Sequence, residues 1–320
     1  MPSSDLSPTA FLSALKGEVS CVRFYETRQR FKPQVAGRPP SVSNWLLGIV
    51  LGIVQGVSEW LPISSKTQVI IASTYLFGLG IKDAYALGLF LEAGTFIAAL
   101  YYFRSEVWRV LKALVGRGDE EARLLLKFLV VVTVLTAIVG VTIYVTALSS
   151  ISGPVVGVPM VALGCVLIGD ALVITVAKGR SGPTKKLSQL SMRDIVLIGL
   201  VQGIAALPGV SRSGVTVSAM LLLGMTPRDS FKLSFLALIP ASLGAAGVTV
   251  VFSDVNITSA VSVIGAPAIL LAIAVSVAIG IVFIRLLLRA AGSQRIALLT
   301  LGLGLLAIFS GIASILVGAG

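Results

Sequence analysis

Four apolar segments of this 320-residue chain are too short to cross a bilayer, and they come as two pairs, each closed around a polar break. Trp45–Val57 and Val69–Gly80 flank Ser58–Gln68, while Ile195–Leu207 and Val215–Gly224 flank Pro208–Gly214. A spanning helix needs about 20 apolar residues, so segments of 10 to 13 residues can only dip into the membrane and return. Irregular backbone at that depth must be buried in protein or line a cavity. Composition agrees with membrane residence: 56% of residues are hydrophobic, only 12% are charged, and the mean hydropathy is +0.99. Soluble domains carry about 25% charged residues.

Three full-length apolar spans follow each broken pair: Tyr85–Phe103, Phe128–Leu148 and Val155–Ala177, then Leu233–Phe252, Ile264–Ile284 and Ile296–Val317. The two halves also match in residues. Gly52-Ile53-Val54-Gln55-Gly56 repeats as Gly199-Leu200-Val201-Gln202-Gly203, and Leu61-Pro62 repeats as Leu207-Pro208. A half with an odd number of spans forces the next half to enter from the opposite side. The expected fold is therefore an all-α integral membrane protein with an inverted-topology repeat, each half a re-entrant helix pair plus three transmembrane helices. Residues 44–194 form the first repeat and 195–320 the second, behind a polar, basic tail at 1–43 with a short helix near 9–29 and no signal-peptide core. The connections 104–127, 178–194 and 285–295 are rich in Arg and Lys, whereas 149–154 has no charge and 253–263 only Asp254. The basic loops are expected on the cytoplasmic side. The first broken pair then opens outward, and the basic N-terminal tail lies outside against the rule.

Within Leu207–Thr216 the sequence Leu-Pro-Gly-Val-Ser-Arg-Ser-Gly-Val-Thr places Arg212 at membrane depth. An arginine there costs roughly 3 kcal/mol on insertion scales, which makes a functional role the default. A guanidinium fork beside the hydroxyls of Ser211, Ser213 and Thr216, with free backbone N–H groups at a Pro-Gly break that includes Gly209, suits a phosphate group. The other break carries Glu59, which can pair with Arg212 if the two breaks meet; a purely structural ion pair is the competing explanation. Gln55 precedes Glu59 by four residues and shares its helix face. One carboxylate and one amide oxygen suit a hard divalent cation held mostly by substrate oxygens and water. Lys66 is expected to reach toward the surface, and Glu92 and Asp170 to serve helix–helix hydrogen bonding.

Several classes drop out. The chain has no histidine, so phosphohistidine chemistry and His-ligated metals are excluded. No Gly-x-x-x-x-Gly-Lys-[Ser/Thr] loop supports an ATP-driven machine. The net charge of +11 follows membrane topology, and no nucleic-acid partner is expected. Cys21 and Cys165 lie in a polar tail and an apolar run, so no disulfide is expected between them.

Together the stretches GIVQGVSEWLPISSKTQ at 52–68 and LPGVSRSGVT at 207–216 resemble the undecaprenyl-diphosphate phosphatases of the bacitracin-resistance type. The first resembles that family's [Glu/Gln]-x-x-x-Glu motif with its Leu-Pro-x-Ser-Ser, the second its Pro-Gly-x-Ser-Arg-Ser-Gly-x-Thr. The resemblance covers about residues 44–318. It implies hydrolysis of a polyprenyl diphosphate lipid to the monophosphate, recycling the carrier for cell-envelope glycan synthesis. It also implies a requirement for Mg²⁺ or Ca²⁺ and a site in the plasma membrane facing outward. Carried over, Gln55 and Glu59 handle metal and diphosphate, Ser64 and Ser65 are the paired serines with Ser65 the nucleophile, and Ser211, Arg212, Ser213 and Thr216 bind phosphate. Many members have Gly-His where this chain has Thr67-Gln68, and that histidine is given an acid–base role which Gln68 cannot fill.

The mechanism expected from these residues has Arg212, the break's N–H groups and the nearby hydroxyls holding the diphosphate. Ser65 or a water then attacks the terminal phosphorus, with water favoured because a serine lacking a nearby base is a poor nucleophile. The alternative is a transporter or flippase of polyprenyl monophosphate, since inverted repeats with broken helices are also a carrier architecture. The histidine-dependent phosphatidic-acid-phosphatase chemistry is excluded. A homodimer is compatible with the sequence.

Overall fold

Two helix-turn-helix elements packed on long apolar helices organise the chain. The computed structural model describes residues 44–79, 81–146, 157–177, 185–207, 209–252, 265–291 and 296–316. The tail and its expected helix near 9–29 lie outside the described residues. The helices are α1 (Asn44–Ser58), α2 (Ser65–Phe77), α3 (Ile81–Tyr102), α4 (Arg104–Leu114), α5 (Glu120–Thr146) and α6 (Gly157–Ala177). They continue as α7 (Met192–Gly203), α8 (Arg212–Leu222), α9 (Pro227–Phe252), α10 (Ala266–Ala291) and α11 (Ile296–Ser314). Among the described residues no strand forms, only an isolated bridge between Lys185 and Met225.

Among the described residues three stretches have the length and apolarity to cross a membrane: Glu120–Ile143, Ala266–Ala291 and Ala297–Ser314. Asn44–Ser58, Leu87–Tyr102 and Met160–Leu172 are shorter apolar stretches. At most 39% of each long stretch is buried in the protein, so apolar flanks such as Leu298, Leu305 and Phe309 are left for lipid to cover. The chain is a helical membrane protein.

The two glycine-bearing limbs, α1 and α7, pack in the same way on different long helices. A Cβ added at Gly52 would lie 2.6 Å from the Ala272 carbonyl oxygen and 2.7 Å from Val275 Cβ of α10. One turn on, Gly56 faces Ser276 and Ile279. On the other side Gly199 faces Val132 and Leu135 of α5, and Gly203 faces Thr136 and Val139. Both contact sets run i, i+3, i+4, i+7. Such close backbone approach is the usual use of small residues in membrane helix packing. The third long helices, α6 and α11, pack antiparallel: Gly164 lies against the Gly304 carbonyl and Gly157 against the Gly311 carbonyl.

Two features differ from the sequence expectation. The apolar segments begin at Val69 and Val215, yet α2 starts at Ser65 and α8 at Arg212, so the polar motif residues wind into first helical turns. The unpaired first N–H groups of a helix accept polar partners at no packing cost, and the Ser211 hydroxyl accepts from the Gly214 N–H at 3.3 Å. The basic connection 104–127 also contains a helix, α4, separated from α3 by Phe103 alone. It is amphipathic, with Trp108, Leu111 and Leu114 exposed and Lys112 over the Trp108 ring at 5.7 Å. Lys232 of α9 holds it through Glu106 at 2.8 Å.

The glycine contacts are testable by thermal unfolding in detergent. Gly52→Ala and Gly199→Ala each overpack a helix seam and should cost about 1–3 kcal/mol. Gly302→Ala, where no atom lies within 4 Å of the new methyl, should leave the transition unchanged or raise it.

Candidate active site

The polar breaks meet at one carboxylate. Glu59 follows the last residue of α1, and its Oε1 accepts from Arg212 Nη2 of α8 at 2.7 Å. The other oxygen, Oε2, accepts from Ser65 Oγ at 2.6 Å and from Gln55 Nε2 at 2.9 Å. The side chains of Glu59 and Arg212 are 8% and 22% exposed, so the pair is shielded yet reachable from one side. Removing two ions from water costs several kcal/mol each, which only close pairing and further hydrogen bonds repay. Glu59 has both: a cation on one oxygen and two donors on the other.

The second break is fastened to the first through one carbonyl. Ser211 Oγ and Ser213 Oγ both donate to the Leu61 carbonyl oxygen, at 3.3 and 3.2 Å, and lie 3.1 Å apart. Thr216 Oγ1 donates to the Arg212 carbonyl at 2.7 Å and approaches Gln202 Oε1 at 3.3 Å. Gln202, the repeat mate of Gln55, in turn donates to Thr136 of α5 at 3.0 Å. Gly209 is buried with φ +83°, a left-handed conformation open to glycine.

Gln55, Glu59, Ser65 and Arg212 are therefore in direct contact. Ser211 and Ser213 join through Leu61, and Thr216 through the Arg212 backbone. Ser64, the residue before α2, has φ 55°, and its hydroxyl accepts from Thr67 at 3.1 Å. Lys66 pairs with Glu92 of α3 at 3.1 Å, so Glu92 serves a helix–helix contact as expected. Asp170 of α6 is buried, and its Oδ2 has no hydrogen-bond partner among the described residues.

Three contacting residues had no signal in the sequence. Thr95 of α3 receives Gln55 Nε2 at 3.4 Å, Ser242 of α9 lies 3.5 Å from Arg212 Nη1, and Ser310 of α11 receives Gln68 Nε2 at 2.7 Å. All have mostly apolar neighbours in largely apolar helices, where serine and threonine are ordinary packing residues.

The donor set allows a test of the divalent cation. Among the described residues no three acidic, histidine or cysteine side chains are grouped. Gln55 turns its Nε2 to the Glu59 carboxylate, and its Oε1 is a buried oxygen with no hydrogen-bond partner among the described residues. Glu59 and Gln55 would offer two oxygens to a hard ion of the magnesium kind only with the Gln55 amide turned over, the rest of its coordination falling to water and phosphate oxygens.

Comparison with known proteins now decides the family. The family described as Bacitracin resistance protein BacA matches residues 48–308. The chain belongs to this family. A protein named undecaprenyl-diphosphatase from Saccharolobus solfataricus is 52% identical over 270 residues, covering 84% of this chain and 96% of its own. Relatives of the same name from Sulfurisphaera tokodaii and Pyrobaculum aerophilum are 43% and 39% identical, covering 86% and 83% of this chain and 100% and 97% of theirs. The matched region contains both breaks and leaves out most of the N-terminal tail.

The fastening at Leu61 predicts a graded loss. Ser213→Ala leaves Ser211 on the carbonyl and should cost under about 1 kcal/mol, whereas the Ser211→Ala/Ser213→Ala pair should cost about 1–3 kcal/mol in detergent unfolding. Equal, small losses from both variants would show that the Ile63 N–H, which also donates to this carbonyl at 2.9 Å, satisfies it alone.

Proposed function

We propose that this chain hydrolyses a polyprenyl diphosphate of the undecaprenyl type to the monophosphate and free phosphate, as the names of its relatives say of them. The observation that carries the chemistry is the Ser65 hydroxyl 2.6 Å from Glu59 Oε2, with Arg212 on the other oxygen of the same carboxylate. The absence of a base near Ser65 was the ground for preferring water as nucleophile; Glu59 removes that ground. The contact supplies a nucleophile with its base, which hydrolysis needs and passage of the monophosphate does not, although the hydroxyl also helps to satisfy the buried carboxylate.

In the proposed reaction Arg212 keeps one N–H on Glu59 and turns its remaining donors to the phosphate oxygens. The first N–H groups of α2 and α8, with Gly209, Ser64, Ser211, Ser213 and Thr216 around them, add the positive ends of two helices. Ser65 Oγ bonds to the terminal phosphorus while its proton passes to Glu59, and the anhydride P–O bond breaks with its electron pair on the departing monophosphate. That monophosphate carries the Glu59 proton away. A water then attacks the phosphoserine, giving its proton to Glu59, which returns it to Ser65 Oγ as phosphate leaves. Mg²⁺ or Ca²⁺ held by Gln55 and Glu59 would neutralise phosphate charge when bound.

We further propose that residues 44–194 and 195–320 are inverted repeats with α1–α2 and α7–α8 as re-entrant pairs. The matching glycine seams on α10 and α5 support this, since exchange of limbs between halves is what a two-fold relation in the membrane plane produces. The family resemblance, with a loop charge that opens the first broken pair outward and the second to the cytoplasm, supports a site facing outside across the plasma membrane.

Purified protein in detergent with Mg²⁺ and a polyprenyl diphosphate should release phosphate without any second compartment. Ser65→Ala and Arg212→Ala should each lower kcat/KM at least about 100-fold, in the range of lost nucleophiles and oxyanion donors. Acid quench during turnover should recover phosphate on Ser65. No phosphate release, together with lipid-phosphate crossing in vesicles, would assign the chain to carriage instead.

A further inference from the structure

Resting on the hydrolysis proposed above, we propose that Gln68 and Ser310 act as a clamp that holds Ser65 on its base, making Gln68 a positioning residue. Gln68 stands where an acid–base histidine is common, and its amide has no proton to exchange. What the structure gives it instead is two bonds. Gln68 Nε2 donates to the Ile63 carbonyl at 3.0 Å and to Ser310 Oγ of α11 at 2.7 Å. Both hydrogens of the amide are used, one on the break and one on a long helix from the other end of the chain.

The turn it holds needs holding. Among the described residues Ser64 is the one non-glycine with positive φ, at 55°. Such a backbone costs of order 1 kcal/mol or more for a residue with a Cβ and persists where surrounding contacts over-determine it. Its hydroxyl caps no backbone N–H of α2 and accepts instead from Thr67 Oγ1 at 3.1 Å, so the usual N-terminal cap is missing. The support comes from both flanks. Leu61 is fixed by Ser211 and Ser213, and the Ile63 N–H folds back on the Leu61 carbonyl at 2.9 Å. Ile63 is fixed by Gln68, and the Gln68 backbone N–H reaches the Ser64 carbonyl at 3.2 Å. The strained residue immediately precedes Ser65, so its conformation sets where the Ser65 hydroxyl points. In the second break the helix begins instead on Ser211 with an extended backbone and a side-chain cap, and residue 215 is an apolar Val. The clamp belongs only to the half that carries the hydroxyl.

The test is steady-state phosphate release from polyprenyl diphosphate in detergent by the full-length chain, with unfolding followed in parallel. Gln68→Glu keeps size and shape but loses both donors. It should lower kcat about 10- to 100-fold with KM changed less than about threefold, because misaligned reacting groups cost rate rather than binding. Ser310→Ala should lower kcat less, and adding it to Gln68→Glu should cost nothing further. Ser64→Gly, which removes the strain, should make Gln68→Glu milder than it is in the Ser64 background. Wild-type kcat in Gln68→Glu, independent additive losses for Gln68→Glu and Ser310→Ala, or equal losses in kcat/KM through KM alone would each overturn the clamp. Wild-type protein that releases no phosphate would instead overturn the hydrolase function on which the clamp rests.

Discussion

Glu59 and Arg212 are 153 residues apart, and either one without the other would leave an unpaired charge in an apolar protein. Their pairing at 2.7 Å requires the end of α1 and the start of α8 to arrive at one point, and both ends are breaks in short helices. The rest follows from that meeting. Short limbs end where the ion pair lies, and glycine seams let α1 and α7 approach α10 and α5 closely enough to bring their ends inward. Hydroxyls on Leu61 then close the gap between breaks. A buried ion pair alone is weak evidence of stability, since apolar replacements can do as well. The serine on the second carboxylate oxygen is what gives the pair a chemical use.

The site also shows how an ionisable group is kept tolerable within apolar helices while staying available to a substrate. Arg212 has five donors, and the described contacts leave several for an incoming anion. Glu59 is nearly enclosed, so the proton exchange with Ser65 in the proposed reaction would be sheltered from bulk water. In the proposed reaction the two helix N-termini face a dianionic terminal phosphate with positive dipole ends, at no cost of reorganisation.

Much of this was legible in the chain. Short apolar segments around Glu59 and Arg212 gave the short helices that end there, and the repeated Gly-x-x-Gln-Gly lies on α1 and α7, which both pack through glycine. The motifs themselves located Gln55, Glu59, Ser65 and Arg212, and these are the residues in contact. Three things were hidden for physical reasons. The first turns of α2 and α8 are polar, so hydropathy places their starts several residues late. Thr95, Ser242 and Ser310 are single hydroxyls on apolar faces, indistinguishable from packing residues until a partner is seen. Above all, Gln68 could be read only for the proton chemistry it lacks. One of its two hydrogen bonds goes to Ser310, 242 residues away, which no local pattern connects to it.

The central claim is that Glu59 and Arg212 work as one unit across the two breaks. A double-mutant cycle with Glu59→Gln and Arg212→Met, read as kcat/KM for phosphate release from a polyprenyl diphosphate, tests it directly. If the account holds, either substitution alone removes nearly all activity and the second adds little, leaving a coupling of at least about 1–3 kcal/mol. Two independent losses that sum in the double variant would contradict it.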